Sequence, residues 1–109
     1  MDKSLSTLGL CRRAGKLIYG FDAVVGEVSS PGGKAAGVLL AADISEKTAK
    51  EVRFECEKRG VPVTVLGCTL DDIKDVLGKR TGVLAVLDSG LYGSVVKNRG
   101  SNDGVKQTE

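Results

Sequence analysis

Three short segments combine residue types that could bind or transform a ligand, and the first lies near the N-terminus. In Gly15–Asp22 a short apolar strand leads directly into a helix. A helix N-terminus presents free backbone N–H groups and a positive dipole end, and both favour a phosphate. Gly20 permits close approach of the backbone to a ligand. Alternatively, the segment has only a structural role, in which the glycine forms a tight turn and Asp22 caps the helix.

The second segment places an acidic residue directly after an apolar run. Asp43 follows Gly37–Ala42 and precedes Ser45. An aspartate there could accept a phosphoryl group, as in receiver domains, but such sites need several oxygen ligands for Mg²⁺. No acidic pair follows the first strand. We therefore expect Asp43 and Ser45 to cap or brace the third helix, and the sequence predicts no catalytic residue.

The third segment carries two basic residues between two glycines, immediately before a strand. It contains Gly78, Lys79, Arg80, Thr81 and Gly82. The glycines would bring the backbone close to a ligand, and the two cations would contact phosphates. The segment lacks the Gly-x-x-x-x-Gly-Lys-Ser/Thr pattern of a nucleotide-binding P-loop. A solvated basic turn is the alternative.

Composition limits the classes of function that these segments could serve. The chain has 109 residues, no histidine and a formal net charge of +2, which indicates one domain and excludes histidine-dependent catalysis. Three widely spaced cysteines, Cys11, Cys56 and Cys68, form neither a disulfide framework nor a zinc motif. No metal or cofactor is predicted. With no membrane span and no signal peptide, we expect a cytoplasmic protein.

The elements that must position these segments alternate between helix and strand. The predicted strands are Lys16–Tyr19, Gly37–Ala42, Val61–Leu66 and Val83–Leu87. The predicted helices are Ser4–Ala14, one from Phe21 to Val28 that a loop from Ser29 ends, one from Ser45 to Gly60, one from Thr69 to Gly78, and Ser89–Lys97. This order predicts an α/β fold with helices on both faces of a largely parallel sheet. Residues 98–109 read as a flexible tail after a single domain at residues 1–97.

Several stretches together resemble a known superfamily. They are Leu8–Gly20, Gly37–Thr48, Val61–Val63 and Leu77–Lys79. Their order and spacing are similar to those of the kink-turn-binding ribosomal proteins of the L-seven-Ae and L-thirty-e type. The Asp43-x-Ser45-x-x-Thr48 form most resembles the small bacterial YlxQ-like branch. The resemblance covers about residues 4–97.

The resemblance implies a three-layer α-β-α sandwich around a mixed four-stranded sheet. It also implies a non-enzymatic, ribosome-associated protein that binds structured RNA, above all ribosomal RNA, with ribosomal proteins as further candidate partners. The implied RNA contacts are Lys16, Gly20, Phe21, Asp22, Ser45, Lys79, Arg80, Thr81 and Val83. In this interpretation the cations contact phosphates, Asp22 accepts from guanine, and Thr81 and Val83 pack against an extruded nucleotide.

One stretch departs from the pattern of kink-turn binders, Gly-x-Asn-Glu-x-x-Lys. Gly20 matches, whereas Asp22, Ala23 and Gly26 stand where that pattern has Asn, Glu and Lys. An aspartate keeps hydrogen-bond acceptors but lacks the amide donor. The alternative function is therefore a protein–protein adaptor that keeps the fold and has lost kink-turn recognition.

Overall fold

The computed structural model describes residues 3–98, in which five helices and four strands alternate strictly. The elements are α1 (Ser4–Arg13), β1 (Leu17–Tyr19), α2 (Phe21–Ser29), β2 (Gly37–Leu40), α3 (Glu46–Arg59), β3 (Val63–Val65), α4 (Leu70–Leu77), β4 (Val83–Val86) and α5 (Ser89–Asn98). The predicted order is confirmed. Strands are shorter than predicted because the apolar runs extend into the flanking loops.

The four strands form one mixed sheet in the order β1-β4-β2-β3. β4 lies antiparallel to both β1 and β2, and only β2 and β3 are parallel neighbours. The expectation of a largely parallel sheet is therefore wrong, and the mixed sheet implied by the resemblance is confirmed. The first three strands do run in one direction, but β4 enters between β1 and β2 in the opposite direction.

Helices cover both faces of the sheet and complete an α-β-α sandwich. One face of the sheet packs against α1, α4 and α5 around Leu8, Ile73 and Val95. The other face packs against α2 and α3 around Val24 and Val52. Every residue of β2 and β4 is buried, as the near-continuous apolar runs predict. β3 differs: it is an edge strand, and Val65 is 42% exposed.

Local signals in the sequence set the helix ends. The Ser45 hydroxyl accepts a hydrogen bond from the Thr48 N–H at the start of α3. Thr69 and Asp72 form a complete capping box at the start of α4. Gly60 and Gly78 end α3 and α4 in the left-handed region, with φ of 69° and 78°. These start and stop predictions are confirmed.

The described part of the last helix includes Asn98, the residue at which the predicted tail begins. Asn98 belongs to α5, and its carbonyl accepts from the Lys3 N–H while its amide donates to the Thr7 hydroxyl. These bonds tie the helix end to α1, which corrects the assignment of Asn98 to a tail. The rest of the predicted tail lies outside the described residues. Within residues 3–98, no helix combines the length and the apolar character that a bilayer crossing requires.

Two glycine-to-alanine substitutions should change stability in opposite directions. A Cβ at buried position 37 would overlap the ring of Tyr92, whose hydroxyl lies 2.7 Å from the Thr64 hydroxyl. Gly37→Ala should therefore lower the free energy of unfolding by about 2 kcal/mol through overpacking. Exposed Gly26 in α2 has nothing within 4 Å of such a Cβ, so Gly26→Ala should raise it by up to about 1 kcal/mol. Urea unfolding followed by circular dichroism measures the free energy of unfolding of both variants. A change of the same sign in the two variants would contradict the packing described at these two glycines.

Candidate functional site

The loops of the three candidate segments lie close together at one edge of the sheet. The Gly20 N–H donates to the Val83 carbonyl at 3.0 Å, joining the end of β1 to the start of β4. The Ala41 N–H donates to the Gly82 carbonyl, and the Ala42 N–H donates to the Cys68 carbonyl. The three strand ends and the start of β4 therefore meet. We call this region the Gly20 edge; its loops comprise residues 20–22, 42–45, 67–71 and 78–83.

Close packing fastens the loops of the Gly20 edge to one another. A Cβ at Gly82 would lie 2.7 Å from Cδ2 of Leu70 and 3.2 Å from Cδ1 of Ile44. Asp43 Oδ1 accepts a hydrogen bond of 2.9 Å from the Leu70 N–H. Asp43 thus braces α4 rather than α3, which corrects part of the structural interpretation of this residue. A pre-positioned set of loops loses little entropy when it binds a ligand.

The α2 end of the Gly20 edge leaves a carboxylate free. Gly20 precedes the helix with φ of 103°, a conformation that favours glycine, and no side chain caps the helix. Asp22 lies exposed in the first turn, so the capping role considered for it is not observed. Among the described residues, its carboxylate makes no hydrogen bond or ion pair. Phe21 is half-buried and packs against the α2–α3 side of the core.

The loop before β4 presents two exposed cations in different surroundings. The Lys79 ammonium lies 6.0 Å from the centre of the Tyr19 ring. Arg80 Nε donates to Asp71 Oδ1 at 3.1 Å, and both side chains are exposed. The Thr81 hydroxyl donates to the Val83 carbonyl at 3.4 Å. Val83 itself is only 3% exposed, so it contributes its carbonyl to this edge, and its buried side chain offers no surface to a nucleotide.

Two of the predicted contact residues are placed less favourably: Lys16 lies away from the Gly20 edge, and the Ser45 hydroxyl is engaged inside the fold. Lys16 precedes β1, and its carbonyl accepts from the Leu87 N–H beyond the end of β4. It therefore lies at the opposite edge of the sheet from Gly20, about 13 Å away along an extended strand. Ser45 does lie at the Gly20 edge, but its hydroxyl donates to Thr48 Oγ1 and accepts from the Thr48 N–H.

The structure adds residues that the sequence did not single out. Tyr19 reaches the Gly20 edge because its strand pairs with β4 at Leu84. Ile44 and Leu70 are half-buried and flank Gly82. No pattern in the sequence distinguished these apolar residues from ordinary core residues.

Charges of both signs surround the Gly20 edge. Acidic groups are Asp22, Asp43, Glu46 and Asp71, and basic groups are Lys47, Lys79 and Arg80. Such a mixture gives no strongly positive surface, so few phosphate contacts are available.

The three cysteine thiols lie inside the fold. Cys11, Cys56 and Cys68 are all buried and free of disulfides. Burial raises the pKa of the Cys11 thiol, and it raises the pKa of the Cys56 thiol to about 11. Thiols with raised pKa values are poor nucleophiles at neutral pH because little thiolate is present. Within residues 3–98, no group of three His, Cys, Asp or Glu side chains could hold a metal ion.

Comparison with known proteins finds close relatives in sequence. No protein-family profile matches the chain. The chain is 33% identical over 89 residues to the RNA-binding protein YlxQ of Enterococcus faecium, covering 82% of this chain and 84% of that protein. It is 34% identical over 94 residues to the RNA-binding protein YlxQ of Bacillus subtilis strain 168, covering 82% and 87%.

Solved structures show the same architecture. A protein of unknown function from Bacillus halodurans C superposes with a TM-score of 0.78 at 31% identity, covering 89% of this chain and 96% of that chain. The 15.5kD RNA binding protein of Giardia lamblia superposes with a TM-score of 0.67 at 21% identity, covering 85% and 78%. The second similarity concerns the fold alone.

Burial of the Cys56 thiol predicts a loss of stability at alkaline pH. Its folded pKa is raised from 9.0 to about 11, so its contribution is fully present below pH 9.0 and falls away as the pH rises toward 11. Between pH 8 and pH 10 the wild type should lose about 1 kcal/mol more than Cys56→Ala, which lacks the titrating group. Urea unfolding at several pH values measures this difference. Parallel losses in the two proteins would contradict the assignment.

Proposed function

Because the chain belongs to the YlxQ family, we propose that it is a non-enzymatic RNA-binding protein that contacts structured RNA through the Gly20 edge. The relatives from Enterococcus faecium and Bacillus subtilis are named as RNA-binding proteins. One observation carries the choice of surface: the Gly20 backbone, Lys79 and Arg80 are brought to one edge by loops that pack on one another. A rigid edge suits recognition of an RNA with a fixed shape.

The proposed contacts are of two kinds: contacts to the RNA backbone position the protein, and contacts to the bases recognise the RNA. Lys79 and Arg80 contact phosphates. Gly20 lets the α2 N-terminus approach the kink of a folded RNA. The free carboxylate of Asp22 accepts hydrogen bonds from guanine N1–H and N2–H, because an ionised carboxylate is an acceptor only. Thr81 lies beside a nucleotide extruded from the helix.

The Arg80–Asp71 pair does not prevent a phosphate contact. Both partners are more than half exposed, and exposed pairs contribute only about 0–1 kcal/mol. An arginine–phosphate contact is charge-assisted and bidentate. Arg80 can therefore exchange Asp71 for a phosphate at little cost.

The RNA we propose is a ribosomal RNA element with a kink-turn-like internal loop, bound in the cytoplasm by a single domain that includes Asn98. Sheared G·A pairs in such a loop expose guanine edges toward one side of the helix. The position of Asp22 in the first turn of α2, next to Gly20, supports this assignment.

Fluorescence anisotropy with a kink-turn RNA tests the proposal. The control RNA has its two sheared G·A pairs replaced by Watson–Crick pairs. The kink-turn RNA should bind at least tenfold more tightly, about 1.4 kcal/mol. The logarithm of the association constant should fall with the logarithm of salt concentration with a slope of about −2 to −4. Equal, weak binding of both RNAs would overturn kink-turn recognition.

Charge removal at the Gly20 edge should weaken RNA binding, and charge removal elsewhere should not. Lys79→Ala with Arg80→Ala should reduce the salt slope by about 2, because two phosphate contacts are lost. Lys16→Ala is the control for the single variants Lys79→Ala and Arg80→Ala, because each removes one exposed cation and Lys16 lies at the opposite edge of the sheet. The same anisotropy titration at several salt concentrations measures these variants. If Lys16→Ala weakens RNA binding more than the variants at the Gly20 edge do, the RNA binds to another surface.

Asp22→Asn should weaken kink-turn binding. The amide keeps one acceptor oxygen and places an NH2 donor opposite one of the two guanine N–H donors, so one of the two proposed hydrogen bonds is lost. We expect an affinity loss of about fivefold, since one hydrogen bond contributes about 1 kcal/mol. The loss should appear for the kink-turn RNA and be much smaller for the control RNA. An equal gain in affinity for both RNAs would mean that Asp22 acts only through its negative charge.

A protein–protein adaptor is the second candidate function, and one observation favours it. Phe54 is 60% exposed and lines an open groove of about 540 Å³ with Val61 and Val63. Exposed aromatic side chains in grooves are typical of protein contacts. If this is the main function, kink-turn and control RNA will bind alike, and binding will vanish as salt rises.

A further inference from the structure

We propose that Tyr19 and Lys79 form a subsite for one unpaired nucleotide, in which the base stacks on the Tyr19 ring and the Lys79 ammonium contacts its phosphate. The subsite rests on the proposed RNA-binding function and deepens it. It lies at the Gly20 edge, and it adds an aromatic surface to an edge where hydrogen-bonding and charged groups otherwise dominate.

The surroundings of Tyr19 differ from those of a structural tyrosine. Its ring is partly buried against the α1–α4–α5 side of the core, which holds it in place. Its hydroxyl has no hydrogen-bond partner within residues 3–98. Tyr92 provides the contrast: it is 9% exposed, and its hydroxyl lies 2.7 Å from the Thr64 hydroxyl. Packing and hydrogen bonding account for Tyr92, whereas the polar end of Tyr19 has no role inside the fold.

The Lys79 ammonium occupies the position next to the ring in the free protein. Its distance from the ring centre is 6.0 Å, at the outer limit of a cation–π contact. Lys79 follows Gly78, whose φ of 78° turns the chain, and its side chain is exposed. A contact this long at an exposed site is weaker than a base stacked on the same ring. The incoming base therefore displaces the ammonium, which then turns to the adjacent phosphate.

The chemistry of the pair indicates the class of nucleotide. Only an unpaired base exposes its π-face, so the ligand is a nucleotide in a loop or bulge rather than in a duplex. Stacking accepts any base, since every base has a π-face. The subsite therefore adds affinity for RNAs with an unpaired nucleotide beside the contacted helix and adds little discrimination among bases.

Tyrosine emission gives a direct readout, because the chain has two tyrosines and no tryptophan. The probe is the kink-turn RNA with its unpaired nucleotide, at saturating concentration. Binding should quench the emission of Tyr92→Phe, in which Tyr19 is the remaining tyrosine. It should leave the emission of Tyr19→Phe almost unchanged, since buried Tyr92 does not meet the RNA. Quenching in both variants, or in neither, would overturn the subsite.

Affinity measurements separate stacking from charge. Tyr19→Leu should weaken binding about tenfold without changing the salt slope, since no charge is lost, and Tyr19→Phe should bind like the wild type. Lys79→Ala should reduce the salt slope by about 1. Circular dichroism and urea unfolding establish that the Tyr19 variants are folded, and Tyr19→Phe keeps the aromatic ring if Tyr19→Leu is unstable.

The outcomes distinguish this subsite from the proposed function. If Tyr19→Leu binds the kink-turn RNA like the wild type while the Lys79 and Arg80 double variant is weakened, the subsite is wrong and the proposed function stands. If the wild type does not prefer the kink-turn RNA over the control, and Tyr19 emission does not respond to either RNA, both are wrong.

Discussion

The position of β4 is the constraint on which the rest of this structure depends. β4 lies between β1 and β2 and runs antiparallel to both. Its start therefore lies at the sheet edge where β1, β2 and β3 end. If β4 ran parallel to its neighbours, the loop with Lys79 and Arg80 would lie at the opposite edge, far from Gly20. The candidate surface exists because one strand reverses direction.

Tight packing converts that proximity into a defined surface. Gly82 lies between Leu70 and Ile44 with no room for a side chain. Asp43 holds the first N–H of α4, and Thr69 and Asp72 close the same helix end with a capping box. These interactions use the polar groups of the loops inside the fold. Among the described residues of this edge, the groups that remain exposed to a ligand include the Asp22 carboxylate, Lys79, Arg80 and part of the Tyr19 ring.

The balance of charge at this edge bears on the proposed RNA recognition. Acidic groups accompany Lys79 and Arg80, so long-range attraction to phosphate is weak. Under the proposed function, recognition comes from short-range contacts that depend on the shape of the RNA. Asp22 and Ala23, which stand where kink-turn binders have Asn and Glu, would change those short-range contacts directly, because they replace a donor and remove a polar side chain.

Much of the fold follows from local patterns, and the site follows from contacts between distant residues. Apolar periodicity and capping residues such as Ser45, Thr69 and Gly78 predicted the nine elements, since helix ends depend on backbone groups close in sequence. The motif resemblance predicted the family and the mixed sheet. Three features depended on the tertiary structure: Lys16 lies at the opposite edge from Gly20, the Val83 side chain is buried, and the Lys79 ammonium lies 6.0 Å from the centre of the Tyr19 ring. Each depends on strand direction and register, which pair residues far apart in the chain and leave no periodic signal in the sequence.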